Sequence, residues 1–581
     1  MIAPNRRLAV AAAGLAAACV ALYAATLGHG FVWDDEHYVV PVVQDRSAAG
    51  LVRALGSDLV QAGDPSSDPS GYWRPLASLT LWADGALPGG AAPFHATNVL
   101  LHAACAALLL LLLVRRLGPE AGLAVPVVAA LAWAFHPQHV EPVAWISGRY
   151  ELLIALFALL LLLVRREARA TSVALLAAAF AAGLLSKESF AVIALVAVAD
   201  DWAAGRRLRE ALPGWLGLGG VALAVVAARR ALGVGTPPVP WADAPWNVLS
   251  AVAVYLGRAI VPLPLGIGHP YAGPTPWVAV AGGAVLAALL AMALRWRRLA
   301  TPVALFVAPL VPLGLAMGGI GEAPERYFYL PSLGLAWLLA EDLVAVRRSW
   351  PAAGRACIAA AGVACVAGAV ASALRLPDWR DDRALYGAEL RRHPDDWRAN
   401  LFMGNEAIED GRLDEALALL ARAEAGVGSG QAAWDVQAVL SRAHFLRGDA
   451  DAAIAHASAA LRLAPRRPMP YLLLAAAYHQ KGNHTQEFMV ADAALQRWPD
   501  HPQLRLPRAS AMCEVAPGDV CERELERIAR LGQADAADAW AELAAQAVAR
   551  HDPAAARARL EELRRIEPGH PRLRALEQST R

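Results

Sequence analysis

Of 581 residues, 57% are hydrophobic and 18% charged, against roughly 45–50% and about 25% in soluble domains. With a mean hydropathy of +0.37, that balance excludes a wholly soluble protein. A net charge of +1 gives no electrostatic pull toward nucleic acid, and six cysteines cannot build a disulfide scaffold.

Asn5, Arg6 and Arg7 precede an apolar run from Leu8 to Leu27. The apolar region of a cleaved signal peptide is usually ~7–15 residues, whereas about 20 span a bilayer. The run therefore reads as an uncleaved first helix that starts in the cytoplasm. Arginine clusters at Arg115-Arg116, Arg165-Arg166, Arg206-Arg207, Arg295 to Arg298 and Arg347-Arg348 close or follow further apolar runs. The positive-inside rule makes these cytoplasmic turns. The complementary, outer turns carry FVWDDEHY (Phe31 to Tyr38), HPQHVEPVAWISGRYE (His136 to Glu151), SKES (Ser186 to Ser189) and GEAPERYFYLPS from Gly321. The run Val248 to Val261 is short and followed by PLPLGIGHP, so it is either re-entrant or spanning. About eleven spans follow, with residues 1–374 as a membrane domain, 375–396 as a linker and 397–581 outside the cytoplasm.

From Trp397 a 34-residue period takes over. Counting from Trp434, Gly448, Ala453, Ala460 and Pro465 fall at positions 15, 20, 27 and 32. Copies from Trp397, Pro468 and, more weakly, Ala537 keep the register. Small residues let paired helices approach closely and the proline ends the second one, the pattern of the tetratricopeptide repeat (TPR). Between Pro502 and Ala536 the repeat is degraded, and Cys513 and Cys521 fall there, either as free thiols or, in an oxidising compartment, as a disulfide. Cys19, Cys105, Cys357 and Cys365 lie in apolar runs and read as small buried hydrophobes.

Chemistry concentrates on the outer side. Asp34 and Asp35 stand where the first helix meets water, and carboxylates at that rim are costly to place. Arg74, in the run YWRPLASLTLWAD, is either a bidentate phosphate clamp or a snorkelling arginine in an aromatic belt. His95, Asn98 and His102 share one helix face, a stripe that packs against another helix more often than it binds ligand. His136, His139 and Glu141 have the chemistry of zinc ligands. Pro137 and Pro142 break the helix that would align them, so the three are assigned to substrate rather than to metal. Arg149 and Glu151 open the next span. Lys187 and Glu188 interrupt a long apolar stretch, so the lysine is paired or faces a wet cavity. Glu325, Arg326 and Tyr327 precede a later span, where they read either as substrate-binding residues or, for Glu325–Arg326, as no more than an interfacial ion pair. An acidic pair among separated cations suits an amphiphile with a phosphate head. No cofactor motif or Gly-rich phosphate loop is present.

FVWDDEHY, YWRPLASLTLW, FHATNVLLH, FHPQHVEPVAWISGRYELL, LLSKE, ERYFYLPSLG and the repeats occur in an order that resembles the transmembrane and TPR protein O-mannosyltransferases of the endoplasmic reticulum and their bacterial relatives. The resemblance implies an all-α, GT-C-type helical membrane bundle followed by an α-solenoid of TPR repeats. It also implies a polyprenyl-phosphate-linked sugar as donor, mannose in the family, and a Ser/Thr hydroxyl of an acceptor protein held by the repeats. The family pattern Asp-(Asp/Glu)-x-x-Tyr falls on Asp34, Asp35 and Tyr38. Asp34 is then the general base of an inverting transfer, and Asp35 orients the acceptor or shares the proton load. The chain has Tyr-Trp-Arg-Pro where the family has Tyr-Arg-Pro around Arg74. Arg149, Lys187 and Arg326 are assigned to the phosphate from their charge and side alone. The competing reading is a non-catalytic membrane-anchored TPR scaffold, which needs no polar set on one face of the bundle.

Overall fold

The computed structural model describes residues 6–59, 70–165, 170–235, 243–262, 265–267, 273–320, 323–428, 432–499, 501–532 and 535–580. Asn5, Arg166, Gly321, Glu322 and most of PLPLGIGHP, named above, lie outside them. Among the described residues the secondary structure is entirely helical, and the chain divides into two compact units, Met1–Ala388 and Glu389–Arg581.

In the first unit, eight helical segments among the described residues are long and apolar enough to cross a membrane. They are Arg6–Gly28, Ala92–Leu117, Ile146–Val164, Leu208–Ala231, Pro276–Arg295, Arg297–Met317, Glu325–Ser349 and Pro351–Trp379. Ala124–Ala134 and Val173–Ser186 are apolar but shorter. Packing separates these helices into two kinds. Ile146–Val164 has 78% of its apolar window buried in protein and forms the centre, whereas Leu208–Ala231 and Pro351–Trp379 have 11% each. Leu216, Leu223, Val363 and Val366 on the latter two stand exposed. Apolar faces of that extent need lipid rather than water against them.

The Ala244–Ile260 helix is wedged between two neighbours. A Cβ on Gly282 would lie 1.8 Å from the Leu249 carbonyl oxygen, and one on Gly314 would lie 2.5 Å from the Val248 Cα. Only glycine permits backbones that close. At its far end Arg258 donates to the Ala323 carbonyl, level with the turn that carries Glu325.

Arginines that follow the apolar runs are tied down at the end of Ala92–Leu117 remote from Asp34. Asp200 accepts from Arg116 at 2.6 Å and from Thr301 at 3.1 Å. Asp201 pairs with Arg165 and Arg206 and accepts from the Trp215 indole at 2.8 Å. Both carboxylates are buried, so each guanidinium cancels a charge that would otherwise be prohibitive in that setting.

Among the described residues the second unit contains five helix pairs: Trp397–Glu409 with Leu413–Gly426, Ala433–Arg447 with Ala450–Leu463, Pro468–Gln480 with His484–Arg497, Pro502–Val515 with Asp519–Arg530, and Ala536–Ala549 with Pro553–Ile566. It is an α-solenoid of TPR repeats. Position 15 of the repeat explains itself: Gly411, Gly448 and Gly482 have φ of +74°, +84° and +72°, the left-handed turn that reverses the chain. In the weakest copy His551 adopts the same conformation at +58°. Ala416, Ala423, Ala453, Ala460 and Ala494, the small residues of the period, are fully buried between paired helices. Where the period fades, the hairpin persists, and Cys513 is disulfide-bonded to Cys521 across it.

Candidate active site

The segment after the first span is built around a strained turn. Trp33 has φ +57°, one of two non-glycine residues with positive φ among the described residues. Such a conformation costs about 1–3 kcal/mol and persists only where the surroundings enforce it. Here they do. Its indole stacks on Trp145 at 4.8 Å between ring centroids, and its N–H donates to Asp382. The turn aims Asp34 at the start of the short Asp35–Tyr38 helix.

The two aspartates then diverge. Asp35 is fully buried; it accepts from the Val32 N–H at 3.1 Å, the Ser147 N–H at 2.9 Å and the Ser147 hydroxyl at 2.6 Å. Burial pushes its pKa up to about 7; the Ser147 and Val32 hydrogen bonds pull the other way, and the charge of Asp34 adds to the rise. Asp35 thus clamps the loop after the first helix to the Ile146–Gly148 turn. That turn is itself so close to Pro142 that a Cβ on Gly148 would meet its carbonyl oxygen at 2.5 Å. Asp34 is half-buried. It acts electrostatically on Arg326 and Tyr38, and burial followed by Asp34 raises the Tyr38 pKa.

The Arg326 cation interacts with Asp34, while Arg74 acts on Tyr38 and Lys187 lies over the Tyr327 ring. The Arg326 guanidinium lies 5.1 Å from the Trp33 ring, 5.3 Å from Trp145 and 5.1 Å from Tyr327. Its ion-pair partner is Glu141, at 2.7 Å. Burial raises the Glu141 pKa and Arg326 opposes the rise. Arg74 sits between the Tyr72 and Tyr150 rings at 4.4 and 4.3 Å, with Glu188 at 3.5 Å. Burial works against its charge, but Glu188 and the phenol rings outweigh it and hold the guanidinium cationic. Lys187 pairs with Glu151 and lies 4.3 Å from the Tyr327 ring. Tyr327 therefore bridges Lys187 to Arg326, and Tyr72 senses both Arg74 and Arg326.

Other predicted residues lie elsewhere. Arg149 is fully buried, with Asp84 at 2.6 Å, Asn98 at 2.9 Å, the Phe94 carbonyl at 2.8 Å and Thr80 at 3.3 Å. Its guanidinium locks helices together. Glu325 pairs with Arg375, not with its sequence neighbour Arg326, and also accepts from the Gly266 N–H. Likewise Lys187 takes Glu151 rather than Glu188. His136, His139 and Glu141 do not converge on one point. His139 is hydrogen-bonded to Ser332 at 3.1 Å and Glu141 faces Arg326. Burial holds both imidazoles' pKa values down, His139 further than His136, so both are neutral. The helix-facing stripe packs as its spacing implies: Asn98 donates to the Val143, Trp145 and Ile146 carbonyls, and His102 bonds Tyr329.

Sequence reading missed Ser147, Trp33 and Arg229. Arg229 ends an apolar run like the arginines assigned above to cytoplasmic turns, yet it reaches Glu188 at 3.4 Å and the Gly71 carbonyl. Nothing local to it signals that partner.

With this arrangement in view, the chain's relatives are informative. A Drosophila melanogaster protein, Protein O-mannosyl-transferase Tmtc1, is 36% identical over 142 residues, 24% of this chain and 16% of its own length. A second Drosophila relative, Protein O-mannosyl-transferase Tmtc2, is 36% identical over 133 residues, 22% of this chain and 14% of the relative. Caenorhabditis elegans Protein O-mannosyl-transferase F38B6.6 is 28% identical over 199 residues, 32% and 27%. The curated homologues are TMTC protein O-mannosyl-transferases. The alignments span between about one-seventh and about one-quarter of these relatives. No protein-family model matches. Among solved structures, a thermophilic TPR protein of Thermus thermophilus is 22% identical, covering 32% of this chain and 98% of that one at a TM-score of 0.28.

Proposed function

We propose that this chain is a membrane glycosyltransferase that moves a sugar, mannose by analogy with its homologues' names, from a polyprenyl-phosphate carrier to a hydroxyl of an acceptor protein. The observation that carries the reading is the divergence of Asp34 and Asp35. One carboxylate is buried as a clamp, and the clamp holds the other where it acts on Arg326 and Tyr38, with Arg74 also acting on Tyr38 and Lys187 against the Tyr327 ring.

In this mechanism Asp34 accepts the proton of the acceptor hydroxyl as its oxygen attacks the anomeric carbon. The bond from that carbon to the phosphate oxygen breaks with its electron pair on the phosphate, and the sugar inverts. Arg74 and Arg326 stabilise the leaving phosphate, each oriented by aromatic rings and one carboxylate. Lys187 adds charge from the Tyr327 side. Arg149 and Glu325 hold the frame.

The repeats present acceptor protein, and they lie outside the cytoplasm. Two features support that side. The chain leaving Pro351–Arg375 runs beside the Asp34 loop, with the Arg380 carbonyl accepting from the Gly30 N–H. The Cys513–Cys521 disulfide also suits an oxidising compartment. Incubating purified protein with labelled polyprenyl-phosphate sugars and a Ser/Thr-rich acceptor protein tests the reading. Label moving from lipid to protein is expected; label that stays on lipid with every sugar offered overturns it.

A further inference from the structure

A second cluster of titratable groups lies in the repeat unit, where the membrane chemistry has no use for it. In the third helix pair, His479 occupies the last turn of Pro468–Gln480, and His484 and Glu487 open His484–Arg497. Gly482 at φ +72° and the Asn483 cap, which accepts from the Gln486 N–H at 3.2 Å, fold the intervening turn back sharply. The fold brings both imidazoles onto one carboxylate. His479 Nδ1 lies 3.1 and 3.0 Å from the two Glu487 oxygens, and His484 Nδ1 lies 3.0 Å from Oε2.

Three features point to a cation. Among the described residues, this is the single group of three whose donor atoms all fall within 4.8 Å of one another. The Glu487 side chain is 2% exposed, yet its hydrogen-bond partners are imidazoles, not an arginine or lysine. Nor does the repeat need the residues: they stand at positions 12, 17 and 20 counted from Pro468, where the copy from Trp397 has Ile408, Leu413 and Ala416. Tetrahedral zinc, with bonds of about 2.0–2.2 Å, requires donors about 3.3 Å apart. The nitrogen-to-carboxylate separations of 3.0–3.1 Å meet that with shifts of a few tenths of an ångström, and the two nitrogens lie within 4.8 Å of each other. As a plain hydrogen-bond network, the cluster needs a proton on each Nδ1; a divalent cation replaces both.

We propose that His479, His484 and Glu487 bind one zinc-type divalent cation through two nitrogens and one oxygen, with the half-exposed His479 side leaving the fourth position to water. The ion clasps the end of one helix to the start of the next, as Cys513–Cys521 clasps the following hairpin covalently. Nitrogen and carboxylate donors in a tetrahedral set select zinc over magnesium or calcium, which prefer oxygen cages.

The test uses the full-length, tag-free protein in detergent, stripped with chelator and titrated with cobalt(II), then with zinc(II). One equivalent of cobalt with the visible bands of a tetrahedral site is expected, displaced by zinc, with a zinc-dependent rise in Tm. His479→Ala and His484→Ala should each weaken binding by more than the ~10–100-fold that a lost outer-shell partner costs. The His479 side chain is half-exposed, so H479A removes a ligand without disturbing the core. Absence of saturable uptake, uptake unchanged in H479A, or variants that lower Tm equally with and without zinc would each overturn the proposal. None of these readouts depends on sugar transfer.

Discussion

Two aspartate pairs sit at opposite ends of the Ala92–Leu117 helix, and they are built differently. Asp200 and Asp201 are both buried and meet Arg116, Arg165 and Arg206, so the charges close on themselves. Asp34 and Asp35 divide the work. Asp35 is sealed by neutral donors from Ser147 and Val32, while Asp34 stays half-buried beside the strained Trp33 turn and acts on Arg326. A carboxylate pair at a membrane boundary is therefore no functional signal by itself. What distinguishes the two is how each member is held: both carboxylates of one pair meet guanidinium groups directly, whereas in the other Asp35 is held by neutral donors and Asp34 acts electrostatically on Arg326.

That contrast can be broken from either side. Asp201→Ala removes the closer of the two carboxylates paired with buried Arg165 and the partner of part-exposed Arg206, and should cost up to about 3–5 kcal/mol, read as a fall in Tm of the detergent-solubilised protein. Beyond the fall in Tm caused by the packing lost between Tyr72 and Tyr150, Arg74→Ala should slow transfer by ~10²–10³-fold. Arg74→Lys should restore little of it, because an ammonium cannot lie between two rings as a planar guanidinium does. The effect that is smallest per pH unit comes from Asp35. Its folded pKa of about 7 stands above the ordinary 3.8, so between those values the folded state holds a proton that the unfolded chain has lost. Stability is thus complete below pH 3.8 and falls as pH rises toward 7, by up to ~1.4 kcal/mol per pH unit for one proton. In Asp35→Asn the Tm-against-pH profile should lose that slope.

The repeats were legible in the sequence because their determinants are local. A left-handed glycine, buried alanines and a terminating proline recur within 34 residues, and the structure pairs helices in that register. Even the degraded stretch folds as a hairpin, where a disulfide supplements small-residue packing. The arginine clusters likewise marked where helices end. Partners were not legible. Arg149 and Arg326 look alike as cations opening apolar runs, yet one is saturated by Asp84 and Asn98 while the other stacks on Trp33. Glu325 and Arg326 are adjacent but choose Arg375 and Glu141, 50 and 185 residues away. Spacing along a chain predicts a helix face; which side chain meets which across a bundle depends on tertiary packing, as Arg229 also shows.

The most direct measurement is transfer from labelled polyprenyl-phosphate mannose by Asp34→Asn beside the unaltered protein, with Tm recorded for both. Transfer reduced by at least ~10²-fold at unchanged Tm is the predicted result. Full activity in Asp34→Asn, alongside an inactive Arg74→Ala, would contradict Asp34 as the base.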